Sequence, residues 1–161
     1  MMYSTFQSQG SMAFDDHRNQ LYARAIRELV TPDSVVLDLG AGVGVLGLIA
    51  AAAGAKRVYL VEPQPIIKVA REIAKANGLA DKIVVIEGKI EEIELPEKVD
   101  LIISVFTGNL LFTEDLRPSL YYARDKFLKP NGRLLPDCAE LIIAPVTAQT
   151  LHDNRIASWS R

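Results

Sequence analysis

A glycine-rich segment follows a short apolar run near the start of the chain. The segment, residues 35–47, reads VVLDLGAGVGVLG and sets a carboxylate, Asp38, beside the glycines Gly40, Gly42 and Gly44. A second carboxylate, Glu62, stands at the end of the next apolar run, KRVYLVEP. Glycine lets the backbone come close to a ligand, and an acid in the place of Glu62 accepts ribose hydroxyls in adenosine-binding βαβ units. The residue types therefore predict such a unit.

The spacing of the glycines distinguishes two classes of adenosine cofactor. Dinucleotide enzymes use G-x-G-x-x-G to open a helix onto a pyrophosphate. Counted from Gly40, the third glycine position falls on Val45; counted from Gly42, the pattern matches but begins late, after the strand has ended. The spacing that fits the strand end is D-x-G-x-G-x-G, and its acid repels a pyrophosphate but attracts an ammonium group. We therefore predict S-adenosyl-L-methionine as the cofactor. A nicotinamide dinucleotide, or a glycine turn without a ligand, is the alternative.

Composition limits the partners and the compartment. The chain has 161 residues, enough for one domain, and its 18 basic and 20 acidic side chains give a net charge of −2. This charge disfavours a nucleic acid or an anionic membrane as a partner. The polar N-terminus is no signal peptide, and no apolar stretch is long enough to span a bilayer. The only cysteine, Cys138, fits a reducing compartment, so we predict a cytoplasmic protein. We predict no metal site.

Apolar periodicity predicts the elements that position these residues. Helices are expected over 15–30, 45–53, 66–77 and 114–128, and strands over 35–39, 58–61, 82–86, 99–104 and 141–146. Turn signals such as Asn77-Gly78 and Asn131-Gly132 separate these elements. The alternation predicts an α/β fold, a doubly wound, mostly parallel Rossmann-like sheet with helices on both faces.

Several segments resemble known methyltransferases. The glycine loop resembles motif I of class I S-adenosylmethionine-dependent methyltransferases. Outside it, five segments are similar to protein arginine methyltransferases: MAFDDHRNQLYARAI (12–26), EGKIEEIELP (87–96), VDLIISVFTGNLLFTE (99–114), LLPD (134–137) and RIASW (155–159). The resemblance covers nearly the whole chain and implies a methyltransferase. It also implies a division into a cofactor-covering helical segment (1–30), a Rossmann-like methyltransferase domain (31–150) and the start of a connection to a second domain (151–161).

The resemblance implies a set of cofactor-binding residues: Tyr22, Arg18, Asp38, Gly40, Gly42, Glu62, Ile90 and Glu91. Arg18 would bind the cofactor carboxylate through a charge-assisted contact, and Tyr22 would close over the site. A solvated helix charge is the alternative for Arg18, and an ordinary core aromatic is the alternative for Tyr22.

The resemblance also implies which part of the cofactor each remaining residue contacts. Asp38 and Gly40 would hold its methionine end, and Glu62 its ribose. Ile90 and Glu91 would flank the adenine, with Glu91 near the amino group of the base. The alternative for Glu91 is a solvated charge, because it lies in the acidic run EEIE.

The substrate loop departs from the family pattern. The family holds a guanidinium between two glutamates; the second is present as Glu114, the predicted catalytic residue, whereas the first position is Val105. Removing one partner of a buried ion pair costs roughly 3–5 kcal/mol, which amounts to about two to three decades or more in rate. The family tryptophan and tyrosine are replaced by Phe106 and Asn109. The alternative for Glu114 is a favourable charge at a helix N-terminus.

These departures leave the methyl acceptor open. We predict an S-adenosylmethionine-dependent methyltransferase that acts on a protein or a small molecule. The alternatives are a cofactor-binding pseudo-enzyme or interaction module without turnover and, more remotely, a NAD-dependent oxidoreductase.

The family also places a β-barrel domain with a T-H-W loop after the segment that matches residues 155–159. His17 and His152 match no such loop. We expect the chain either to be a fragment of a longer protein or to lack this wall of the substrate groove. We therefore predict an exposed apolar face near 141–146 and 156–159, through which the chain self-associates.

Overall fold

A parallel sheet forms the centre of the structure, a computed structural model that describes residue 10, residues 13–106 and residues 116–159. Its five strands pair in the order β3-β2-β1-β4-β5 and every pairing is parallel. The strands are β1 (Val35–Leu39), β2 (Arg57–Glu62), β3 (Ile83–Glu87), β4 (Val99–Ser104) and β5 (Leu128–Leu135). The order reverses between β1 and β4, which is where open parallel sheets bind their ligands.

Helices connect the strands and cover the sheet. In the described residues they are α1 (Asp16–Leu29), α2 (Val45–Ala52), α3 (Ile67–Ala76), α4 (Arg117–Phe127) and α5 (Gln149–Trp159), with a short 3-10 helix at Ile90–Glu92. Asp15 caps the N-terminus of α1, because its carboxylate accepts a hydrogen bond from the Arg18 amide at 3.0 Å. Within the described parts of the chain, no helix is long and apolar enough to cross a membrane.

The three central strands, β2, β1 and β4, bury both of their faces. Every residue of β1 is buried, and alternate residues enter two separate apolar clusters, as the two-residue period of a strand requires. The first cluster joins the sheet to α1, α2 and α3 through residues such as Ile26, Leu46 and Ile67. The second joins it to α4 through Leu120, Ala123 and Phe127. The predicted doubly wound parallel sheet with helices on both faces is therefore confirmed.

The predicted fifth strand, 141–146, is wrong. The fifth strand is instead Leu128–Leu135, which begins directly after α4 and pairs Leu134 with Ile102 and Leu135 with Ile103. The predicted turn Asn131-Gly132 lies inside this strand, where the pairing with β4 is irregular. Because Leu128–Leu135 already occupies the free edge of β4, the apolar run 141–146 has no strand partner in the described residues.

The segment that follows β5 exposes its apolar side chains. Ile142, Ile143 and Val146 are 83%, 96% and 80% exposed, and Leu151 and Ile156 of α5 are also exposed. The predicted exposure of the apolar side chains is therefore confirmed where these side chains are described; the side chains of residues 158 and 159 are not described. The predicted helix 114–128 is observed as α4, and residues 107–115 lie outside the description.

Candidate functional site

Among the described residues, three polar side chains lie buried at the carboxyl edge of the sheet. Asp38, Glu62 and Ser104 stand near or at the ends of β1, β2 and β4, and each is less than 9% exposed. Leu39 is the register partner of Ser104. Buried polar groups cost free energy unless they are bonded or used, so this edge is the candidate site.

The glycine loop folds back over the end of β2. The amides of Gly40 and Ala41 both donate to the carbonyl oxygen of Val61, at 2.9 and 3.1 Å. Gly40, Gly42 and Gly44 have φ angles of 70°, 55° and 83°, which side chains other than glycine rarely adopt. The glycines do form a tight strand-to-helix turn, and that turn lies against both carboxylates.

Asp38 caps the helix that follows the loop. Its Oδ2 atom accepts a hydrogen bond from the Gly47 amide, in the first turn of α2, at 2.7 Å. Burial raises the pKa of Asp38 to about 7, the Gly47 hydrogen bond opposes this rise, and the nearby Glu62 charge adds to it. A buried carboxyl with this pKa is poised to become charged when a cation arrives.

The same contact bears on the dinucleotide alternative. In dinucleotide sites, the amides at the N-terminus of the helix after the glycine loop face a pyrophosphate. Here the Gly47 amide is already bonded to Asp38, and a phosphate at this position would be repelled by that carboxylate once it is charged. The geometry therefore favours a phosphate-free, cationic ligand over a nicotinamide dinucleotide.

Glu62 is held at the opposite side of the loop. Its Oε2 atom accepts from the Gly42 amide at 3.2 Å, and its Oε1 atom accepts from the Gln64 amide at 3.0 Å. An ionised carboxylate has about four acceptor positions, and these two bonds fix its orientation without filling them. Glu62 can therefore accept two further hydrogen bonds, as a pair of ribose hydroxyls would require.

Helix α1 brings Arg18 and Tyr22 to this edge. The Tyr22 hydroxyl donates to the Ser104 carbonyl oxygen at 3.4 Å, and Arg18 Nη2 donates to the Asn19 side chain at 3.1 Å. Burial is the main cause that raises the pKa of Tyr22; the Arg18 charge opposes the rise and Asp38 adds to it. Arg18, Tyr22 and Asp38 are thus electrostatic neighbours, although the sequence separates them.

Ile90 and Glu91 lie in the 3-10 helix after β3. Ile90 is 2% exposed in the second apolar cluster, against which Phe106 also packs. Glu91 is exposed, but it is bonded to α4: its Oε1 atom accepts from the Ser119 hydroxyl at 2.6 Å, and its carbonyl oxygen accepts from the Tyr122 hydroxyl at 3.3 Å. Glu91 is therefore not merely a solvated charge.

The structure leaves part of the predicted substrate loop outside its description. Glu114 and Asn109 fall among residues 107–115, which are not described. Val105 is half-buried and packs against the first apolar cluster. In the described residues, no three His, Cys, Asp or Glu side chains group as a metal site.

Sequence reasoning missed Ser104 and Ser119. The Ser104 hydroxyl donates to the Leu39 carbonyl oxygen at 2.9 Å and ties the ends of β1 and β4 together. Its only signal was a single polar residue at the end of the apolar run VDLIIS. Ser119 gave no signal, because its partner Glu91 lies in a different element.

Comparisons with known proteins agree with this geometry. The family model described as a methyltransferase domain matches residues 31–160. Protein arginine N-methyltransferase 1.1 of Arabidopsis thaliana is 43% identical over 161 residues, which are 98% of this chain and 41% of that protein.

Solved structures show the same fold. The Trypanosoma brucei PRMT1 enzyme-prozyme heterotetrameric complex with AdoHcy has a TM-score of 0.80 and 41% identity, over 85% of this chain and 44% of that chain. Protein arginine methyltransferase 10 of Arabidopsis thaliana has a TM-score of 0.79 and 40% identity, over 83% and 39%. This chain spans less than half of the length of these relatives.

Proposed function

The chain belongs to the methyltransferase domain family, and on this premise we propose that it binds S-adenosyl-L-methionine and transfers the methyl group to a protein acceptor. One observation carries the proposal: the buried Asp38 carboxyl lies beside a glycine loop whose other side holds Glu62. A cationic amino acid joined to a ribose matches this pair of carboxylates. The arginine methyltransferase relatives support a protein as the acceptor.

The described side chains suit the successive parts of the cofactor. Asp38 and the Gly40 backbone would meet the ammonium group, where charge attraction is strong because the site is buried. Arg18 would meet the carboxylate, and Tyr22 would close over this end. We propose that Glu62 accepts the ribose hydroxyls, with Gly42 fixing its orientation through the bond at 3.2 Å.

The base would lie at the other end of the same edge. Ile90, which is buried in the second apolar cluster against which Phe106 packs, offers an apolar surface for adenine. Glu91 offers an acceptor for the amino group of the base.

We propose residues 1–30 as the covering segment, 31–150 as the methyltransferase domain and 151–161 as the start of a connection.

The reaction is a displacement at the methyl carbon. When bound, S-adenosyl-L-methionine would supply the methyl group: the acceptor nucleophile would bond to this carbon as the carbon–sulfur bond breaks, the sulfonium would leave as a neutral thioether, and the acceptor would release its proton to water. Positioning of the two reactants supplies much of the acceleration in such a step. We propose Glu114 as the carboxylate that orients the acceptor, while Val105 leaves the opposite position without a charge.

The test separates cofactor binding from turnover. Isothermal titration with S-adenosylhomocysteine should give binding heat, and the same ligand should raise the melting temperature. Incubation of the protein with methyl-labelled cofactor and a cell lysate should then label protein bands. Absence of both binding heat and a melting shift would overturn the proposal. Binding without any labelled product would favour the second candidate, a cofactor-binding module without turnover, for which Val105 is the motivating observation.

We also propose a second copy of the chain as a partner of the exposed apolar residues Ile142, Ile143 and Val146, because contiguous exposed apolar surface drives association. Light scattering at rising protein concentration tests this self-association, and a strictly monomeric protein would contradict it.

The free, exposed Cys138 is consistent with a cytoplasmic location, which we propose from the scarcity of cysteine.

A further inference from the structure

Strand β3 forms one end of the sheet and has a neighbour on one side only. In the described residues, β2 pairs with β3 in parallel register, and no strand pairs with the other edge of β3. The Val58 amide of β2 donates to the Lys82 carbonyl oxygen at 2.9 Å. In a parallel pair, the backbone groups of successive residues face alternate sides of the strand. Ile83 and Val85 therefore direct their amides and carbonyls to the free edge.

The free edge of β3 is apolar and regular. Natural proteins blunt such an edge with charged residues, prolines or bulges, because its unpaired backbone groups recruit other strands. Residues 83–86 read IVVI, their pairing with β2 has no bulge, and each of them is only half-buried. This edge therefore has the properties of a template to which an extended segment can be added.

A cavity of about 260 Å³ adjoins this edge. Its walls come from α3, from β3 and from the turn that joins them: Arg71, Ala74, Ala80, Ile83, Val84 and Val85. Every one of these residues except Arg71 is apolar. The cavity can therefore take an apolar side chain beside a positive charge.

Arg71 brings a charge without a described partner to this cavity. Lys68 and Lys75 lie one turn before and one turn after it on α3, and both form ion pairs, at 3.1 and 3.0 Å. Among the described contacts, no ion pair or hydrogen bond engages the Arg71 side chain. A guanidinium binds a carboxylate through charge-assisted and often bidentate hydrogen bonds. The charge at the cavity therefore matches an acidic side chain.

We propose that the free edge of β3 binds an extended segment of a partner protein, which adds a strand to the sheet, fills the cavity with an apolar side chain and pairs an acidic side chain with Arg71. Only a peptide backbone matches the alternating amides and carbonyls of the edge. A second copy of β3 fits less well, because its one acid, Glu87, is already bonded to Lys68 at 3.1 Å. Strand β2 separates this edge from Asp38 on β1, so the inference does not rest on the proposed cofactor.

The experiment first selects peptides that bind the wild-type protein. The probe is a library of random eight-residue peptides displayed on phage, and one selected peptide is then labelled with fluorescein and titrated by anisotropy. We expect the selected peptides to share alternating apolar residues and one acidic residue. Failure to select any peptide, or a shared basic residue in place of the acid, would overturn the inference.

Two variants then test the edge and the charge. Val85→Pro removes an amide from the free edge and keeps the bonds to β2, because proline is tolerated where the amide faces away from the sheet; it should abolish binding of the labelled peptide. Arg71→Glu should weaken binding by about tenfold or more, the usual effect of a lost hydrogen bond to a charged group. Arg24→Glu, the same reversal at an exposed position of α1, is the control and should leave the dissociation constant unchanged. Wild-type affinity in a folded Arg71→Glu protein would overturn the inference, whether or not Val85→Pro folds.

Hydrogen exchange distinguishes an added strand from binding in the cavity alone. The amides of Ile83 and Val85 should exchange quickly in the free protein and slowly with the selected peptide bound, whereas the Val84 amide, which faces β2, should be protected in both. Equal exchange at Ile83 and Val85 with and without the peptide would overturn the inference. If the wild-type protein instead forms dimers that Val85→Pro disrupts, the occupant of the edge is a second copy of the chain and the inference is also overturned. Melting curves establish which variants are folded.

Discussion

The Oδ2 atom of Asp38 accepts a hydrogen bond from the backbone nitrogen of Gly47 at 2.7 Å. This contact ties the end of β1 to the first turn of α2 across the glycine loop. It places a carboxyl with a pKa raised to about 7 where a helix N-terminus favours negative charge. The site therefore holds a buried acid whose charge depends on what is bound.

Cofactor affinity should rise with pH. Without ligand, Asp38 is about half protonated near pH 7, because its pKa is about 7. An ammonium group favours the charged form, so binding releases a proton and affinity increases as the pH passes from about 6 to 8, by at most about tenfold per pH unit. Titration with S-adenosylhomocysteine in two buffers of different ionisation enthalpy measures the release. Asp38→Asn should show no such release, and a pH-independent wild-type affinity would contradict the prediction.

The stability of the unliganded protein should fall as the pH rises. Asp38 has a pKa of about 7 when folded against an ordinary value of 3.8. Between these values the folded state binds the extra proton, so the unfolding free energy decreases with pH. Three pKa units set an upper limit of roughly 4 kcal/mol. Urea unfolding at several pH values should show Asp38→Asn gaining stability over the wild type as the pH rises from about 4 to 8. A difference in unfolding free energy between the two proteins that does not change with pH would contradict the raised pKa of Asp38.

Gly47→Ala should destabilise the protein. A methyl group at this position collides with the Leu60 side chain and lies 3.0 Å from Asp38 Oδ2 and 3.2 Å from Val58 Cγ1. Overpacking of a core costs about 1–3 kcal/mol, so the urea midpoint should decrease clearly. Gly10→Ala is the control, because an added methyl there has open space. Equal urea midpoints for the two variants would contradict the prediction, because they would show that α2 accommodates the added methyl group without a cost in free energy.

Ser104→Ala should lower stability and weaken cofactor binding. Loss of the hydroxyl removes the bond to the Leu39 carbonyl oxygen, and a buried acceptor left unbonded costs about 1–3 kcal/mol. The bond joins the strand ends on either side of the ligand position, so the dissociation constant of S-adenosylhomocysteine should increase as well. Ser104→Thr retains the hydroxyl and serves as the control. If the Ser104→Ala protein unfolds and binds the ligand as the wild type does, the Ser104 hydroxyl does not hold the strand ends in the way proposed.

Val105→Glu should raise the activity on arginine peptides. The substitution restores the acid that the family resemblance places opposite Glu114, and a restored pair partner is worth roughly 3–5 kcal/mol. Because Val105 packs against an apolar cluster, part of this gain is offset, and we expect a rise of about 10- to 100-fold in labelled methyl transfer. Val105→Gln has a similar size without the charge and should give no comparable rise. An unchanged rate in a folded, cofactor-binding Val105→Glu protein would exclude arginine as the acceptor.

Local patterns in the sequence were sufficient to predict most of the sheet. The strands β1 and β4 lie where their apolar runs predict them, and the order of helices and strands predicted a doubly wound fold. The glycine spacing beside Asp38 predicted the loop, because positive φ angles and close backbone contact are properties of the glycine residues themselves. Such features depend on neighbours in sequence, so the sequence alone determined them.

Tertiary structure decided the features that depend on a distant partner. The run 141–146 has the composition of a strand, but Leu128–Leu135 follows α4 directly and takes the edge of β4. The link from Ser119 to Glu91 and the link from Ser104 to Leu39 each join elements that lie far apart in the chain. A strand needs a free edge and a hydrogen bond needs two facing groups, and only the folded chain decides which edges and groups meet.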